Sequence, residues 1–256
     1  MHEDIFKRLA PMICDSHVHI GKWNEGHYFS PQDIVNKMKK IGIQKWAVSS
    51  ISSIDNKFSE VKAEFKTLLA LAPDETIPLL WVTPEMMENS EDLSKYDDIP
   101  FRGLKIHGFA NRWNLEGRKI RNLLESARKR NLPVLIHTAW TPESEAGNYY
   151  DLCREFNDVK VILAHGRPLE QTIKVMKDND NVYVDTAYMP EEDIGKITQI
   201  LGDGRILFGT DFPLDEYYYP QDSIAARYEE RVNILVETYG EKAFLTWAQK
   251  NGSSLH

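Results

Sequence analysis

Eight short apolar runs rich in β-branched residues recur along the chain, and most are separated by stretches with helical periodicity. The runs that we predict as strands span residues 12–20, 44–50, 77–83, 101–107, 134–138, 159–165, 182–186 and 205–210. Strands that alternate with helices pair in parallel, and eight such units in 256 residues fit a closed barrel. The sequence therefore predicts an α/β fold, a (β/α)8 TIM barrel, as a single domain over residues 1–256 with two C-terminal helices.

The main alternative for this pattern is an open, doubly wound sheet. That fold commonly has a glycine-rich turn after its first strand, where the backbone approaches a nucleotide phosphate. Here the first strand is followed by Ile20-Gly21-Lys22-Trp23, which is not such a turn. The closed barrel is therefore favoured.

Composition excludes several classes of partner. The formal net charge is −8, whereas nucleic-acid binders commonly present a basic face, so no nucleic-acid partner is expected. No apolar run is long enough to cross a membrane, and the N-terminal residues have no apolar signal core, so we expect no membrane partner. Two cysteines, Cys14 and Cys153, are compatible with one disulfide, but so few indicate a reducing, cytoplasmic location.

Histidines concentrate where the predicted strands end. His17 and His19 alternate with Val18 in the first strand, so both imidazoles lie on one face, as half of a site for a transition metal such as zinc. In a barrel the carboxyl ends of the strands form the catalytic face. A lone histidine is more often structural, and an aspartate after a strand is more often a turn residue or helix cap. Several such residues lie at the remaining strand ends: Lys105, His107, His137, His165 and Asp211.

This ordered set of motifs resembles the amidohydrolase superfamily of metal-dependent β/α barrels, within it the amidohydrolase 2 branch. That branch includes hydrolases and the aminocarboxymuconate-semialdehyde decarboxylase group. The resemblance extends over nearly the whole chain and rests on His17-Val18-His19, His137, His165 and the segment Gly209-Thr210-Asp211-Phe212-Pro213. It implies that one divalent metal, expected to be zinc, is bound by His17, His19, His137 and Asp211. It also implies that His165 lies beside the metal, as a catalytic group or as a ligand of a second metal.

The chemistry of such a site assigns further roles. A catalytic zinc ion keeps one position open for water, and Asp211 beside that water could act as the general base. His165 could polarise a carbonyl oxygen or hold the negative charge that develops on it. In some members of the superfamily a strand-four lysine is carboxylated and bridges two metals; otherwise Lys105 would pair with Asp211 or with a substrate carboxylate. We predict an uncarboxylated lysine and one metal per chain, with two metals as the alternative.

Residues in the loops after the strands are candidates for binding a carboxylate-bearing small molecule. The predicted substrate-binding residues are His107, Arg112, Trp140 and Arg167. The two arginines could equally form surface salt bridges. His27 and Tyr28 are further candidates for the pocket lining.

Three more expectations concern supporting residues. Asp15 should support the site through hydrogen bonds. Cys14 should face outward from the barrel and be inert packing. The cluster 217–219 of three tyrosines either closes over the site or packs on a neighbouring subunit of a homo-oligomer.

The leading functional hypothesis is a metal-dependent hydrolase that uses a metal-activated water on a small-molecule amide, lactone or ester. The closest alternative is a metal-dependent decarboxylase, a carbon–carbon lyase that acts on a small carboxylated substrate. A metal-dependent deoxyribonuclease ranks lower, because barrels of that kind usually place a metal-bridging glutamate where this chain has Lys105. A barrel that binds metal without catalysis also ranks lower, because decayed sites usually lose a ligand and this ligand set is complete.

Overall fold

The computed structural model describes residues 5–24, 27–214 and 224–252, and within them nine strands form one curled sheet. The strands are β1 Cys14–Asn24, β2 His27–Phe29, β3 Lys45–Ser50, β4 Thr76–Trp81, β5 Gly103–His107, β6 Val134–His137, β7 Val161–Ala164, β8 Val182–Asp185 and β9 Ile206–Leu207. Their order in the sheet is β2-β1-β3-β4-β5-β6-β7-β8-β9. Neighbours pair in parallel except β2, which runs antiparallel to the end of β1.

Helices connect most of these strands. They are α1 Ile5–Leu9, α2 Pro31–Ile41, α3 Phe58–Leu71, α4 Arg118–Arg130, α5 Tyr150–Glu155, α6 Leu169–Asp178, α7 Glu191–Leu201, α8 Ile224–Tyr239 and α9 Glu241–Leu245, after which a π-helix spans Thr246–Asn251. None of the described helices combines the length and apolar character needed to cross a membrane.

Helix α2 shows how local sequence sets an element's ends. Ser30 caps it, because the Ser30 hydroxyl oxygen accepts the Asp33 N–H at 3.1 Å, and Pro31 occupies the first helical position. Gly42 ends the helix in the left-handed region at φ 81°. The buried stripe that packs on the sheet consists of Pro31, Ile34, Val35, Met38 and Ile41.

Two regions differ from the sequence prediction although all eight predicted strands are present. The three-residue strand β2 was not predicted. Between β6 and β7 the sequence predicts a continuous helix over residues 143–156, but the structure has 3-10 turns at Pro142–Ser144 and Ala146–Tyr149 and an α-helix only at Tyr150–Glu155. Gly147 and Asn148 are weak helix formers, which accounts for the break.

Cys14 faces the inner side of the curled sheet, so the prediction that it faces outward was wrong. It packs there in a cluster with Ala47, Ile77, Leu79, Leu135, Ile162, Ala164 and Leu207. The cause is a register shift in β1 between Asp15 and Val18, which reverses the side-chain alternation between Cys14 and the two histidines. Cys14 and Cys153 are both free and buried, and burial raises the pKa of each thiol to about 12, so both are un-ionised.

The described strands do not close a full barrel, because no continuous ladder joins β9 to β1. Instead the segment 208–212 bonds to β1: Ser16 N–H donates to Phe208 O at 2.9 Å, Asp211 N–H to His17 O at 2.8 Å, and His19 N–H to Phe212 O at 2.7 Å. Asp211 has a φ of 63°, which is incompatible with a continuing strand. The closed TIM barrel expected from the sequence is therefore observed as a curled, mostly parallel sheet with a short hydrogen-bonded seam.

Gly209 lies at this seam, where no side chain fits. A Cβ there would lie 2.9 Å from Ser16 Oγ, 3.1 Å from His17 Cβ and 3.2 Å from Asp185 Cβ. We expect Gly209→Ala to lower the free energy of unfolding by about 1–3 kcal/mol through overpacking, as measured by urea denaturation. Gly204→Ala is the matched control, since a Cβ there meets nothing within 4 Å. Equal effects of the two substitutions would contradict the close approach.

Candidate metal centre

Two strand ends bring three buried side chains to one point. His17 and His19 come from β1, and Asp211 follows β9. Asp211 Oδ1 lies 3.1 Å from His17 Nε2 and 2.9 Å from His19 Nε2, and the two ring nitrogens are 3.2 Å apart. These ligand atoms all lie within 4.8 Å of one another, which is the arrangement of a metal site.

The outer nitrogen of each imidazole fixes the tautomer. His17 Nδ1 lies 2.9 Å from Asp185 Oδ2, and His19 Nδ1 lies 2.9 Å from Ser49 Oγ and 3.4 Å from the Ser49 carbonyl oxygen. A carboxylate and a carbonyl oxygen only accept, so we assign the proton of each ring to Nδ1. Burial lowers the pKa of both histidines, and both are therefore neutral at pH 7, with the Nε2 lone pairs directed at the shared point.

This donor set fits a divalent metal. Asp211 Oδ1 is buried and, in the part of the chain that the structure describes, lacks a hydrogen-bond partner of acceptable geometry, although two ring nitrogens lie beside it. Two lone-pair nitrogens and a carboxylate oxygen repel each other unless a cation lies between them. Their separations of 2.9, 3.1 and 3.2 Å are slightly shorter than the ~3.3–3.4 Å that bonds of about 2.0–2.1 Å give between ligands of tetrahedral zinc.

Lys105 lies next to this point on the inner face of β5. Its Nζ is 3.1 Å from His17 Nε2, and the side chain is buried. Burial lowers the pKa of Lys105 to about 8, against the opposing effect of Asp211 and Asp185. The lysine is therefore still mostly protonated at pH 7, in the inward position that the sequence predicted.

His165 approaches the same carboxylate from the end of β7. Its Nδ1 lies 3.0 Å from the Ala187 carbonyl oxygen, and its Nε2 lies 4.0 Å from Asp211 Oδ2. Nδ1 therefore carries the proton, and burial lowers the pKa of the ring to about 4. A neutral ring in this tautomer presents a lone pair at Nε2, which favours a role as metal ligand or proton acceptor over the expected role of holding an oxyanion.

His137 lies further from the centre than His165, whose ring it contacts. Its ring stacks on His107 with centroids 3.7 Å apart, and it meets the His165 ring edge-on at 4.9 Å. Among the described residues, neither three-residue group with ligand atoms within 4.8 Å includes His137. Its role as the fourth ligand stays a prediction.

A cavity of about 790 Å³ opens over the centre, and substrate binding by the residues proposed for it stays a prediction. His107 and Arg167 line it, as do Trp23 and Ile51, which sequence reasoning missed. Arg112 and Trp140 are exposed, but the Trp140 ring stacks on the Arg167 guanidinium at 4.3 Å. Arg112 and Trp140 do not line the cavity, and neither do His27 and Tyr28 on β2. The tyrosine cluster 217–219 lies outside the described residues.

Comparison with known proteins identifies the family. A family model described as Amidohydrolase, of the amidohydrolase 2 type, matches residues 14–238. The chain belongs to the amidohydrolase family. The resemblance inferred from the motifs is thereby confirmed. Amidohydrolases are metal-dependent enzymes, in agreement with the buried His and Asp groups of this chain.

Solved structures share the fold at low sequence identity. A candidate 2-pyrone-4,6-dicarboxylic acid hydrolase from Pseudomonas putida is 14% identical with a TM-score of 0.71, and the match covers 96% of this chain and 97% of that chain. 2,6-Dihydroxybenzoate decarboxylase in complex with 2,6-dihydroxybenzoate is 14% identical with a TM-score of 0.74, covering 95% and 98%. 5-Carboxyvanillate decarboxylase from Sphingomonas paucimobilis is 11% identical with a TM-score of 0.68, covering 96% and 98%. A sequence search of curated proteins finds no match.

Asp185 is a buried residue beside the centre of this amidohydrolase that sequence reasoning also missed. Its Oδ2 accepts the His17 Nδ1 proton, and its Oδ1 accepts the N–H groups of His165 and Ala187, each at 3.0 Å. The signal was present, because Asp185 ends the apolar run of β8 just as the histidines end other strands. Asp185 thus orients one side chain of the centre and the backbone of another.

Removing the charge of Asp185 should weaken metal binding. We expect Asp185→Asn to raise the zinc dissociation constant about 10–100-fold, because the carboxylate no longer holds the His17 tautomer. Competition with a chromophoric chelator measures the constant. Asp180→Asn is the control, since Asp180 is exposed and precedes β8 at its opposite end. An unchanged constant in Asp185→Asn would refute the orienting role.

Proposed function

We propose that this amidohydrolase is a metal-dependent hydrolase that uses a metal-activated water on a small-molecule ester, lactone or amide bearing a carboxylate. One observation carries the proposal. The Nε2 atoms of His17 and His19 and a carboxylate oxygen of Asp211 converge within 3.2 Å at a point beneath a cavity of about 790 Å³. Such convergence of unprotonated ligand atoms is what a hydrolytic metal site requires.

His17, His19 and Asp211 would hold one divalent metal, with His137 as the predicted fourth ligand. The nitrogen-rich set favours zinc over harder ions that prefer oxygen ligands alone. When bound, such an ion lowers the pKa of a coordinated water to about 7 and polarises the carbonyl group of a substrate.

Asp211 is the proposed general base. Burial alone would raise its pKa, but the positive charges of Lys105 and of a bound divalent metal would favour the ionised carboxylate. The ionised carboxylate takes a proton from the attacking water as the new carbon–oxygen bond forms. It then gives that proton to the departing alkoxide or amine as the scissile bond breaks.

Two cations in the cavity support a substrate with a carboxylate. Lys105 lies at the floor, and Arg167 lies on the wall with its guanidinium held between the Trp140 ring and the Tyr188 carbonyl oxygen at 2.8 Å. We expect Lys105 to be an uncarboxylated ammonium that pairs with the substrate carboxylate or with Asp211, so that one metal per chain suffices. Carboxylated rings also occur in the names of the structural neighbours, which adds support to this substrate class.

The second candidate is a decarboxylase, and Lys105 is the observation that favours it. A lyase must protonate the carbon that loses carbon dioxide. Lys105, with a pKa lowered to about 8 by burial, still carries a proton at pH 7 and lies 3.1 Å from a ligand atom of the centre. It is therefore placed to supply that proton.

Substitution of Asp211 tests the proposed hydrolase. We expect Asp211→Asn to lower kcat at least about a hundredfold, because the amide cannot accept the proton of water. Zinc-loaded protein would be screened on carboxylated lactones and aryl esters, with ring opening or cleavage followed by proton release. Asp151→Asn, on the exposed side of α5, is the control and should retain full turnover.

The same screen separates the two candidates. Carboxylated phenols would be included, and release of carbon dioxide would be measured beside hydrolysis. Release of carbon dioxide without hydrolysis would favour the lyase. Full hydrolytic turnover by Asp211→Asn would show that the base is elsewhere.

A further inference from the structure

Tyr228 lies on α8, outside the sheet and against the seam between β1 and the segment 208–212. Its ring packs near Phe208 and Phe212, with centroids 6.4 and 6.2 Å away, and near Phe6 at 6.5 Å. Phe208 and Phe212 supply the carbonyl oxygens that accept the N–H groups of Ser16 and His19. The tyrosine ring therefore covers the strand ends that carry the candidate metal ligands.

The hydroxyl group of Tyr228 donates a hydrogen bond to Asp15 Oδ2. The same oxygen accepts the Thr210 hydroxyl at 2.6 Å. The other carboxylate oxygen, Oδ1, accepts the N–H of His17 at 3.0 Å and the N–H of Thr210 at 3.2 Å. One buried carboxylate thus bonds the backbone of one ligand, His17, and of the residue directly before another, Asp211.

The seam needs such a link more than the rest of the sheet does. β1 and β3 are joined by a parallel ladder that fixes His19 relative to Ser49. Between β1 and segment 208–212 the described part of the chain has no continuous ladder, but three backbone hydrogen bonds and one isolated bridge, Val18 to Phe212. The 3.1 Å separation of His17 Nε2 from Asp211 Oδ1 spans this weaker junction.

We infer that Tyr228 is a positioning residue of the metal centre, which acts through Asp15 to hold His17 and Asp211 at metal-binding separation and so couples helix α8 to metal affinity. The inference rests on the proposed metal centre. Tyr228 acts on the backbone through a carboxylate and is not itself a ligand. Its hydroxyl should therefore influence the affinity for metal.

The test compares two buried tyrosines that each lose one oxygen atom. Tyr228→Phe removes the donor to Asp15. Tyr149→Phe is the matched control, because Tyr149 is equally buried, its hydroxyl has no hydrogen-bond partner among the described residues, and it does not line the cavity. Zinc alone would be titrated in competition with a chelator, at a temperature where circular dichroism shows every variant folded. We expect the zinc dissociation constant to rise about tenfold in Tyr228→Phe and to stay unchanged in Tyr149→Phe.

A double-mutant cycle separates positioning from general destabilisation. If Tyr228 acts through Asp15, then Tyr228→Phe should add no further loss of affinity to Asp15→Asn. Additive losses would overturn the inference, and so would an unchanged constant in Tyr228→Phe. Should Tyr228→Phe not fold, Thr210→Val removes the other hydroxyl donor to the same oxygen, and the same tenfold rise is required of it.

The wild-type titration distinguishes this inference from the proposed function. Tight zinc binding by the wild type, with an unchanged constant in Tyr228→Phe, refutes the positioning role and leaves the hydrolase proposal standing. Absence of zinc binding by the wild type refutes the metal centre itself, and the positioning role with it.

Discussion

The site depends on an electrostatic constraint: two neutral imidazoles and a carboxylate present lone pairs to one buried point. His17 Nδ1 is fixed by Asp185, so His17 Nε2 has no proton to place between itself and Asp211 Oδ1, 3.1 Å away. A cation removes the repulsion that this arrangement creates, which is why the geometry fits a metal and is hard to explain as ordinary core packing. The neighbouring Lys105 ammonium, 3.1 Å from His17 Nε2, also places positive charge beside these lone pairs.

The fold serves this constraint by bringing strand ends together. The parallel ladder from β1 to β9 carries His19, Lys105, His137 and Asp185 to one edge of the sheet. The last contribution, Asp211, comes from a residue with a φ of 63° beyond the ladder. The position of Asp211 is set by backbone hydrogen bonds to β1 and by the Asp15 carboxylate. The least regular part of the sheet therefore carries the residue proposed as both metal ligand and general base.

Periodic apolar patterns predicted the strands and the edge where the site lies, because burial of alternating or continuous apolar residues dominates strand choice. They did not predict the orientation of Cys14, because the register shift in β1 depends on pairing with β3 and leaves no mark in the local sequence. They did not predict that Arg112 and Trp140 lie outside the cavity lining, because the path of a loop depends on tertiary contacts. Arg112, for example, has a φ of 50°. Asp185 was predictable from its position at a strand end, but it lies outside the histidine and aspartate motifs on which the family resemblance rests.

The structural neighbours of this amidohydrolase include a candidate hydrolase and a decarboxylase, and each of the two proposed reactions uses a different residue of the centre. A carboxylate that is ionised beside the centre suits activation of water, whereas a buried lysine that is still protonated suits proton delivery to carbon. Both proposed reactions use the same metal. Metal binding can therefore be tested before any substrate is known, and its absence would exclude both reactions.

Metal analysis of purified protein by inductively coupled plasma mass spectrometry tests this dependence most directly. We expect about one divalent ion per chain in the wild type and none in the folded double variant His17→Ala/His19→Ala, because both substitutions remove ligands at the rim of the sheet. Full metal occupancy in the folded double variant would contradict the assignment of His17, His19 and Asp211 as the metal centre.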